Sequence, residues 1–237
     1  MFPLRDANKA LTTPHVNRML ILVNVVISMV MLLSNFGFID NSFAWDIERR
    51  FAMTPYYIIR GEELYTLFTS MFLHAGLLHL FGNMLYLYVF GDNIEDVFGH
   101  VSYLIFYICS GLAASFAHIG FAHTMSTANL ELLTTPVVGA SGAIAGVLGA
   151  YIVLYPKARI LTLVFYGWPI IVPIPAILFL GFWFLMQWFL GTYDILALGN
   201  TSGVAYWAHI GGFIAGLILA LIFGLKRKKA RETRFRL

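Results

Sequence analysis

The sequence has few charged residues and only one cysteine. Asp, Glu, Lys and Arg make up 11% of its 237 residues, whereas soluble domains carry about 25%. Hydrophobic residues make up 59%, which excludes an ordinary soluble domain and predicts a membrane protein. The single cysteine, Cys109, excludes an internal disulfide and lies in an apolar run, where we expect ordinary core packing.

Six apolar runs have the composition of membrane spans. They cover residues 19–33, 77–90, 101–119, 141–155, 174–190 and 207–225. Several are shorter than the roughly 20 residues that cross a bilayer, so we expect their ends to include neighbouring residues or to stop below the surface. The predicted fold is an all-α membrane protein built as a bundle of six transmembrane helices.

The basic residues are unevenly distributed around these runs. With the N-terminus inside, twelve Lys and Arg lie inside, and only Arg49, Arg50 and Arg60 lie outside. The positive-inside rule then places both termini in the cytoplasm. The expected domains are a cytoplasmic segment at 1–18, a helical domain at 19–225 and a basic cytoplasmic tail at 226–237. The tail suits a topology anchor that touches membrane lipid, and no folded basic domain indicates nucleic-acid binding.

Two connections depart from the helical pattern. Residues 35–68 interleave aromatic and charged side chains, which is typical of a segment partly embedded at the membrane interface, although a plain extracellular loop fits equally well. Residues 160–175 are apolar but contain one glycine and three prolines. Because proline at this density interrupts helices, we expect a non-helical connection on the cytoplasmic side.

A serine and a histidine stand near the starts of two apolar runs. The run that Ser141 opens is about 22 Å long at 1.5 Å per residue, which is shorter than a hydrocarbon core of about 30 Å. A helix that begins at such depth needs water for its free N–H groups. Taken alone, Ser141 is better explained as a helix N-cap, and His209 equally well as a partner in an interhelical hydrogen bond.

Small residues change this interpretation, because they recur on one face of each of the two helices. The faces are Ser141, Ala145 and Gly149 on one helix and His209, Gly212 and Gly216 on the other. If the two faces pack closely, His209 meets Ser141 and can take its proton. Since neither motif contains Asp or Glu, we expect a Ser-His dyad without an acidic third residue.

If such a dyad hydrolyses an amide, the site also needs hydrogen-bond donors for the oxyanion that develops on the carbonyl oxygen. His79 and Asn83 are four residues apart, and with the backbone N–H of Ser141 they suit that role. A metal site at His74 and His79 is the rival interpretation. It is weak, because the two histidines are five residues apart and no HExxH sequence occurs.

Together these motifs resemble those of the rhomboid family of intramembrane serine proteases. Gly139-Ala140-Ser141-Gly142 is similar to the family GxSG motif, with Ser141 as the nucleophile. Ala208-His209-Ile210-Gly211-Gly212, followed by Gly216, resembles AHxxG...G, with His209 as the base. His74-x4-His79-x3-Asn83 matches the H-x4-H-x3-N pattern of the second span.

The resemblance implies a fold, site roles and a substrate class. The fold is a six-helix rhomboid bundle with a long, partly membrane-embedded first loop. Oxyanion stabilisation falls to His79, Asn83 and Ser141, and structural support to His74, Glu95, Gly139, Gly142, Gly212 and Gly216, with no metal and no cofactor. Glu95 is expected to accept a cytoplasmic hydrogen bond. The implied partners are single-span transmembrane substrates, in a prokaryotic-type plasma membrane.

The sequence departs from the family pattern at two places. Tyr65-Thr66 replaces the frequent Trp-Arg pair of the first loop. Ala145 replaces a frequent tyrosine that stacks on the catalytic histidine, so another group must orient His209. The competing hypothesis is a non-catalytic relative that binds transmembrane helices for quality control. A channel or transporter is disfavoured, because the sequence has no internal repeat and its acidic residues lie in predicted loops.

Overall fold

The computed structural model describes residues 2–127, 129–196 and 203–235, and most of these residues are helical. The helices are α1 (His15–Asn35), α2 (Asn41–Phe51), α3 (Pro55–Ile59), α4 (Thr66–Thr69), α5 (Leu77–Phe98), α6 (His100–Met125), α7 (Glu131–Thr134), α8 (Ser141–Leu154), α9 (Ala176–Leu196), α10 (Tyr206–Leu219) and α11 (Leu225–Phe235). A 3₁₀ turn, Ser70–Phe72, follows α4, and a π-helical stretch, Ala220–Gly224, joins α10 to α11. The strands are β1 (Phe2–Asp6), β2 (Arg159–Tyr166) and β3 (Trp168–Pro175).

The long helices have the length and composition of membrane spans. Within the described ranges, four stretches qualify: His15–Ser34, His100–Met125, Ala176–Leu196 and Tyr206–Arg231. A fifth is obtained if α5 is joined to the preceding turns, Thr66–Phe72, from which it is bent by 93°. The remaining predicted run, 141–155, corresponds to α8, which is apolar but has only 14 residues. The chain is therefore a multi-pass helical membrane protein.

Helix α8 lies at the centre of the bundle, packed against α5, α6 and α10. A Cβ on Gly212 would overlap the carbonyl of Gly142, and one on Gly216 would overlap that of Gly146. Glycine at these two positions of α10 therefore lets the backbones touch, as in close helix pairs of membranes. At the N-terminal end of α8, the face that meets α10 is offset by one residue from the predicted face, with Gly142 and Gly146 in place of Ser141 and Ala145.

The expectation of an all-α fold is wrong in one respect, because the protein contains a three-stranded antiparallel sheet in the order β1-β2-β3. The proline-rich connection is a hairpin turning at Gly167, and the N-terminal segment pairs with its first strand. The prolines lie in β3, at the edge of the sheet, where a missing N–H removes no ladder bond on the open side. Helix α9 begins directly after β3.

The first connection is packed against α1 at one point and is braced within itself by a hydrogen bond. Ala44 of α2 packs with Met31 of α1, whereas Trp45 on the other side of α2 is exposed. The hydroxyl of Tyr65, where the family pattern has tryptophan, donates to the carbonyl of Arg50 at 2.9 Å. The chain thus braces this connection without the Trp-Arg pair, and its embedding in lipid stays a prediction.

Candidate active site

Ser141 and His209 meet at the end of the bundle where α8 and α10 begin, which we call the site end. Ser141 is the first residue of α8, and its Oγ lies 2.8 Å from Nε2 of His209 on the first turn of α10. The residue before the helix is Ala140, which makes no side-chain capping bond. Because the N-cap position belongs to Ala140, the N-cap interpretation of Ser141 is wrong. The hydroxyl of Ser141 contacts the imidazole instead. A serine in this contact can lose its proton to the ring.

Gly139 places Ser141 next to His79. Its φ of +132° lies in a region that side chains rarely adopt. A Cβ there would lie 2.9 Å from Nε2 of His79 and 3.5 Å from Oγ of Ser141. The backbone N–H of Gly139 donates to the carbonyl of Ser70 at 2.9 Å. The loop before α8 is therefore anchored, and it leaves room for the imidazole of His79 beside the serine.

The cavity beside Ser141 has a volume of about 830 Å³, and His79, Asn83 and His209 also line it. Asn83 is 9% exposed, and its Nδ2 has no hydrogen-bond partner in the described part of the chain. An amide donor left unpaired in a cavity is available to a bound group or to water. The structure thus brings together Ser141, His209, His79 and Asn83 around one space.

His74 lies behind this group. Its Nδ1 is 3.0 Å from Oγ of Ser28, and its ring packs edge-on against that of His79, with the centroids 5.1 Å apart. In this position His74 can hold the ring of His79 in place.

Gly142 approaches α6 closely, because a Cβ on it would lie 2.6 Å from Cβ of Ala114.

Glu95 lies at the opposite end of the bundle, which we call the basal end, where α8 ends and α11 packs. Its carboxylate accepts from the backbone N–H groups of Val16 at 2.9 Å and Asn17 at 2.7 Å. These are free donors at the start of α1, where a negative charge also suits the helix dipole. Glu95 therefore belongs to the framework and has no contact with the candidate active site.

Three further residues near His209 were not singled out from the sequence. Oε1 of Gln187 on α9 lies 2.8 Å from Nδ1 of His209, and the Trp183 ring is 5.9 Å from the His209 ring. His118 of α6 lines the cavity, and among the described residues its Nδ1 has no partner. The available signal was a lone amide or imidazole within an apolar run, which in a membrane usually marks a functional position.

The geometry gives no support to the rival metal site. Across the ranges that the structure describes, no three His, Cys, Asp or Glu side chains lie close enough together to hold a metal ion. His74 and His79 are turned ring-to-ring, with Nδ1 of His74 engaged by Ser28.

Comparison with known families agrees with the motifs. Residues 61–226 match the family model described as Rhomboid domain, which covers well over half of the chain. The matched range includes Ser141, His209, His79 and Asn83.

Several curated proteins are similar to the chain. RHOMBOID-like protein 1 of Arabidopsis thaliana is 31% identical over 178 residues, covering 75% of this chain and 39% of the relative. Rhomboid protease GluP of Bacillus subtilis is 32% identical over 173 residues, covering 73% and 29%. The mitochondrial Rhomboid protein 1 of Saccharomyces cerevisiae is 26% identical over 201 residues, covering 80% and 52%. The chain thus spans about a third to a half of the length of these relatives.

Proposed function

The chain belongs to the rhomboid family, and on that premise we propose that it is an intramembrane serine endopeptidase. Its substrates are single-span transmembrane proteins, cleaved near the outer end of their helix. The observation that carries this proposal is the 2.8 Å contact between Oγ of Ser141 and Nε2 of His209 at the cavity. A relative named as a protease, GluP of Bacillus subtilis, is 32% identical over 173 residues.

In the proposed reaction, Nε2 of His209 takes the proton of Ser141 while Oγ attacks the carbonyl carbon of the substrate. The developing oxyanion accepts hydrogen bonds from the backbone N–H of Ser141, from the ring of His79 and from Nδ2 of Asn83. His209 then gives its proton to the leaving amine, and a water from the cavity releases the acyl group by the reverse sequence. No metal or cofactor takes part in this scheme, so we expect activity to persist in a chelator.

The membrane arrangement that we propose has six spans formed by α1, α5, α6, α8, α9 and α10. The helical domain covers 19–225 and is flanked by cytoplasmic segments at 1–18 and 226–237. The tail supports this arrangement, since Arg227 donates to the carbonyl of Phe98 at 2.6 Å at the same end of the bundle where β1 lies. The first connection is proposed to lie partly in the interface. A prokaryotic plasma membrane stays a prediction, because the relatives also include plant and mitochondrial proteins.

The test compares wild type with Ser141→Ala and His209→Ala in proteoliposomes that contain a labelled single-span substrate. We expect cleavage by wild type, and a loss of at least about a thousandfold in each variant. Ser115→Ala is the matched control, because Ser115 lines the same cavity, whereas the ring nitrogens of His209 face Ser141 and Gln187.

A serine-directed fluorophosphonate probe separates the outcomes. Wild type that cleaves and is labelled at Ser141 supports the protease. Equal cleavage by all three proteins overturns the dyad. If wild type binds the substrate helix but neither cleaves it nor reacts with the probe, the chain is the non-catalytic helix-binding protein instead.

A further inference from the structure

The imidazole of His209 is held on both of its nitrogens. Nε2 faces Ser141, and Nδ1 faces Oε1 of Gln187, each at 2.8 Å. Gln187 lies on α9 and is only 5% exposed. One turn earlier on the same helix, Trp183 lies against the same ring at an interplanar angle of 36°. A single face of α9 therefore contacts the edge and the face of the imidazole.

The two contacts of His209 favour one tautomer. To act as a base toward Ser141, Nε2 must carry no proton, so the proton of the neutral ring must lie on Nδ1. An N–H at Nδ1 needs an acceptor, and a carbonyl oxygen of an amide is one. When the ring takes the serine proton, the bond from Nδ1 to Gln187 becomes charge-assisted and therefore stronger.

We propose that Gln187 is the positioning residue that fixes the tautomer and orientation of His209, the part played in soluble serine proteases by a carboxylate. The proposal rests on the proposed function, because it assigns the third member of the same site. It also accounts for Ala145, which is fully buried and offers no ring to stack on His209. Trp183 and Gln187 together supply the missing support from a different helix.

The apolar surroundings of residue 187 explain why an amide occupies this position and not a carboxylate. Gln187 lies in α9, which is long enough and apolar enough to cross a membrane. An ionised carboxylate at such a place is strongly disfavoured unless it is paired, whereas a hydrogen-bonded amide carries no charge to desolvate. The amide therefore gives the directional acceptor without a buried charge in the resting enzyme.

The test compares the kinetics of three variants in proteoliposomes. Gln187→Met keeps the volume and removes the acceptor, and we expect kcat to fall about ten- to hundred-fold with KM changed less than about twofold. Gln187→Glu restores an acceptor, so it should recover most of the kcat lost by Gln187→Met. Phe184→Leu is the matched control, because Phe184 lies on the same helix and packs on Phe213 of α10, at 4.7 Å between ring centroids.

The pH–rate profile gives a readout that a packing role would not move. The carboxylate introduced by Gln187→Glu stabilises the imidazolium, so the acidic limb of kcat/KM should move to higher pH. The titratable groups facing His209 from the other helices are His79 of α5 and His118 of α6, and they are the same in every variant.

Two results overturn the proposal while wild type remains an active, probe-labelled protease. One is a Gln187→Met variant with unchanged kcat. The other is a loss of kcat that Gln187→Glu does not recover and that Phe184→Leu reproduces, which would show that α9 packing is all that matters. If wild type itself neither cleaves nor reacts with the fluorophosphonate, the proposed function fails instead.

Discussion

The two ends of the bundle treat buried polar groups in opposite ways. At the basal end, Asn17 is 2% exposed, and both ends of its amide are paired: Nδ2 donates to the carbonyl of Leu87 at 3.0 Å, and Oδ1 accepts from Tyr103 at 2.8 Å. At the site end, Asn83 is also buried, yet within the described structure its Nδ2 has no partner. The same residue type is therefore a satisfied structural element at one end and an open donor at the other.

This difference indicates where stability and chemistry are located. A paired buried group contributes about 1 kcal/mol to stability, whereas an unpaired one costs about 1–3 kcal/mol and persists only where water or a ligand serves it. The basal end, with Glu95 paired to backbone donors, resembles the framework of an ordinary protein. The site end keeps open donors beside a cavity, which is the arrangement that a hydrolase inside a membrane requires.

The largest expected effect separates the two asparagines. Asn83→Ala removes a proposed oxyanion donor, so kcat should fall about a hundred- to a thousandfold, corresponding to about 2.7–4 kcal/mol of transition-state stabilisation. The melting temperature in detergent should change little, because Nδ2 of Asn83 makes no hydrogen bond that is lost. Cleavage assays and thermal unfolding of the same preparations measure both quantities.

Asn17→Ala is the matched control with the reverse outcome. It removes the second hydrogen bond to the carbonyl of Leu87 and leaves the hydroxyl of Tyr103 without its acceptor, so the melting temperature should fall while kcat per folded molecule stays unchanged. A variant pair in which both asparagines lower stability alike and neither lowers kcat would remove the contrast between the two ends.

The next effect concerns the framework alone. Glu95 is 1% exposed and accepts two charge-assisted bonds from the first turn of α1. Glu95→Gln replaces one acceptor oxygen with an amide donor that faces a backbone N–H, so the free energy of unfolding should fall by about 2–3 kcal/mol. The kcat of the folded fraction should not change, because Glu95 lies at the far end from Ser141.

The control for Glu95→Gln is Glu62→Gln, which breaks an ion pair with Arg60 between two well-exposed side chains. Exposed pairs of this kind contribute little to stability, because water screens them. Equal destabilisation by the two variants would mean that the basal network has no special weight, and a loss of kcat in Glu95→Gln would connect the two ends.

Much of the site could be predicted from the sequence, because its residues are polar groups within apolar runs at motif spacing. Ser141, His209, His79 and Asn83 were expected to converge, and they line one cavity. Gln187 could not be predicted in the same way. It belongs to no motif, and its contact with His209 depends on how α9 packs against α10, which local pattern does not specify.

The sheet was missed for a related reason. The prolines of 160–175 correctly excluded a helix, but the partner of β2 is the N-terminal strand, more than 150 residues away along the chain. Strand formation depends on such pairing more than on intrinsic propensity. The short polar N-terminal segment therefore gave no local sign that it would become β1.

The smallest expected effect concerns Asp6 at the basal end. Unlike the other buried polar groups described there, it is expected to lower stability at neutral pH. Asp6 of β1 is 7% exposed, and its Oδ2 accepts from the hydroxyl of Tyr151 at 2.6 Å and from Nδ2 of Asn93 at 2.8 Å. Burial raises the pKa of this carboxyl above its usual value of 3.8, and the hydrogen bond from Tyr151 only partly opposes that shift. The ionised form is thus less favourable in the folded protein than in the unfolded chain.

The sign of the pH dependence follows from linkage. Because the folded state holds the proton of Asp6 more tightly, wild type loses stability as pH rises from the unfolded value through the raised folded one, and stays lower above it. Asp6→Asn keeps an acceptor oxygen for Tyr151 and Asn93 and has no charge to desolvate. Its melting temperature relative to wild type should therefore be higher at neutral pH than at about pH 4.

The exposed Asp46 gives the control, since Asp46→Asn should show no such trend. A difference between Asp6→Asn and wild type that is flat with pH would mean that hydrogen bonding to the carboxylate balances its desolvation, and a difference that falls as pH rises would mean that hydrogen bonding outweighs it. In either case Asp6 would be no exception to the paired polar groups of the basal end.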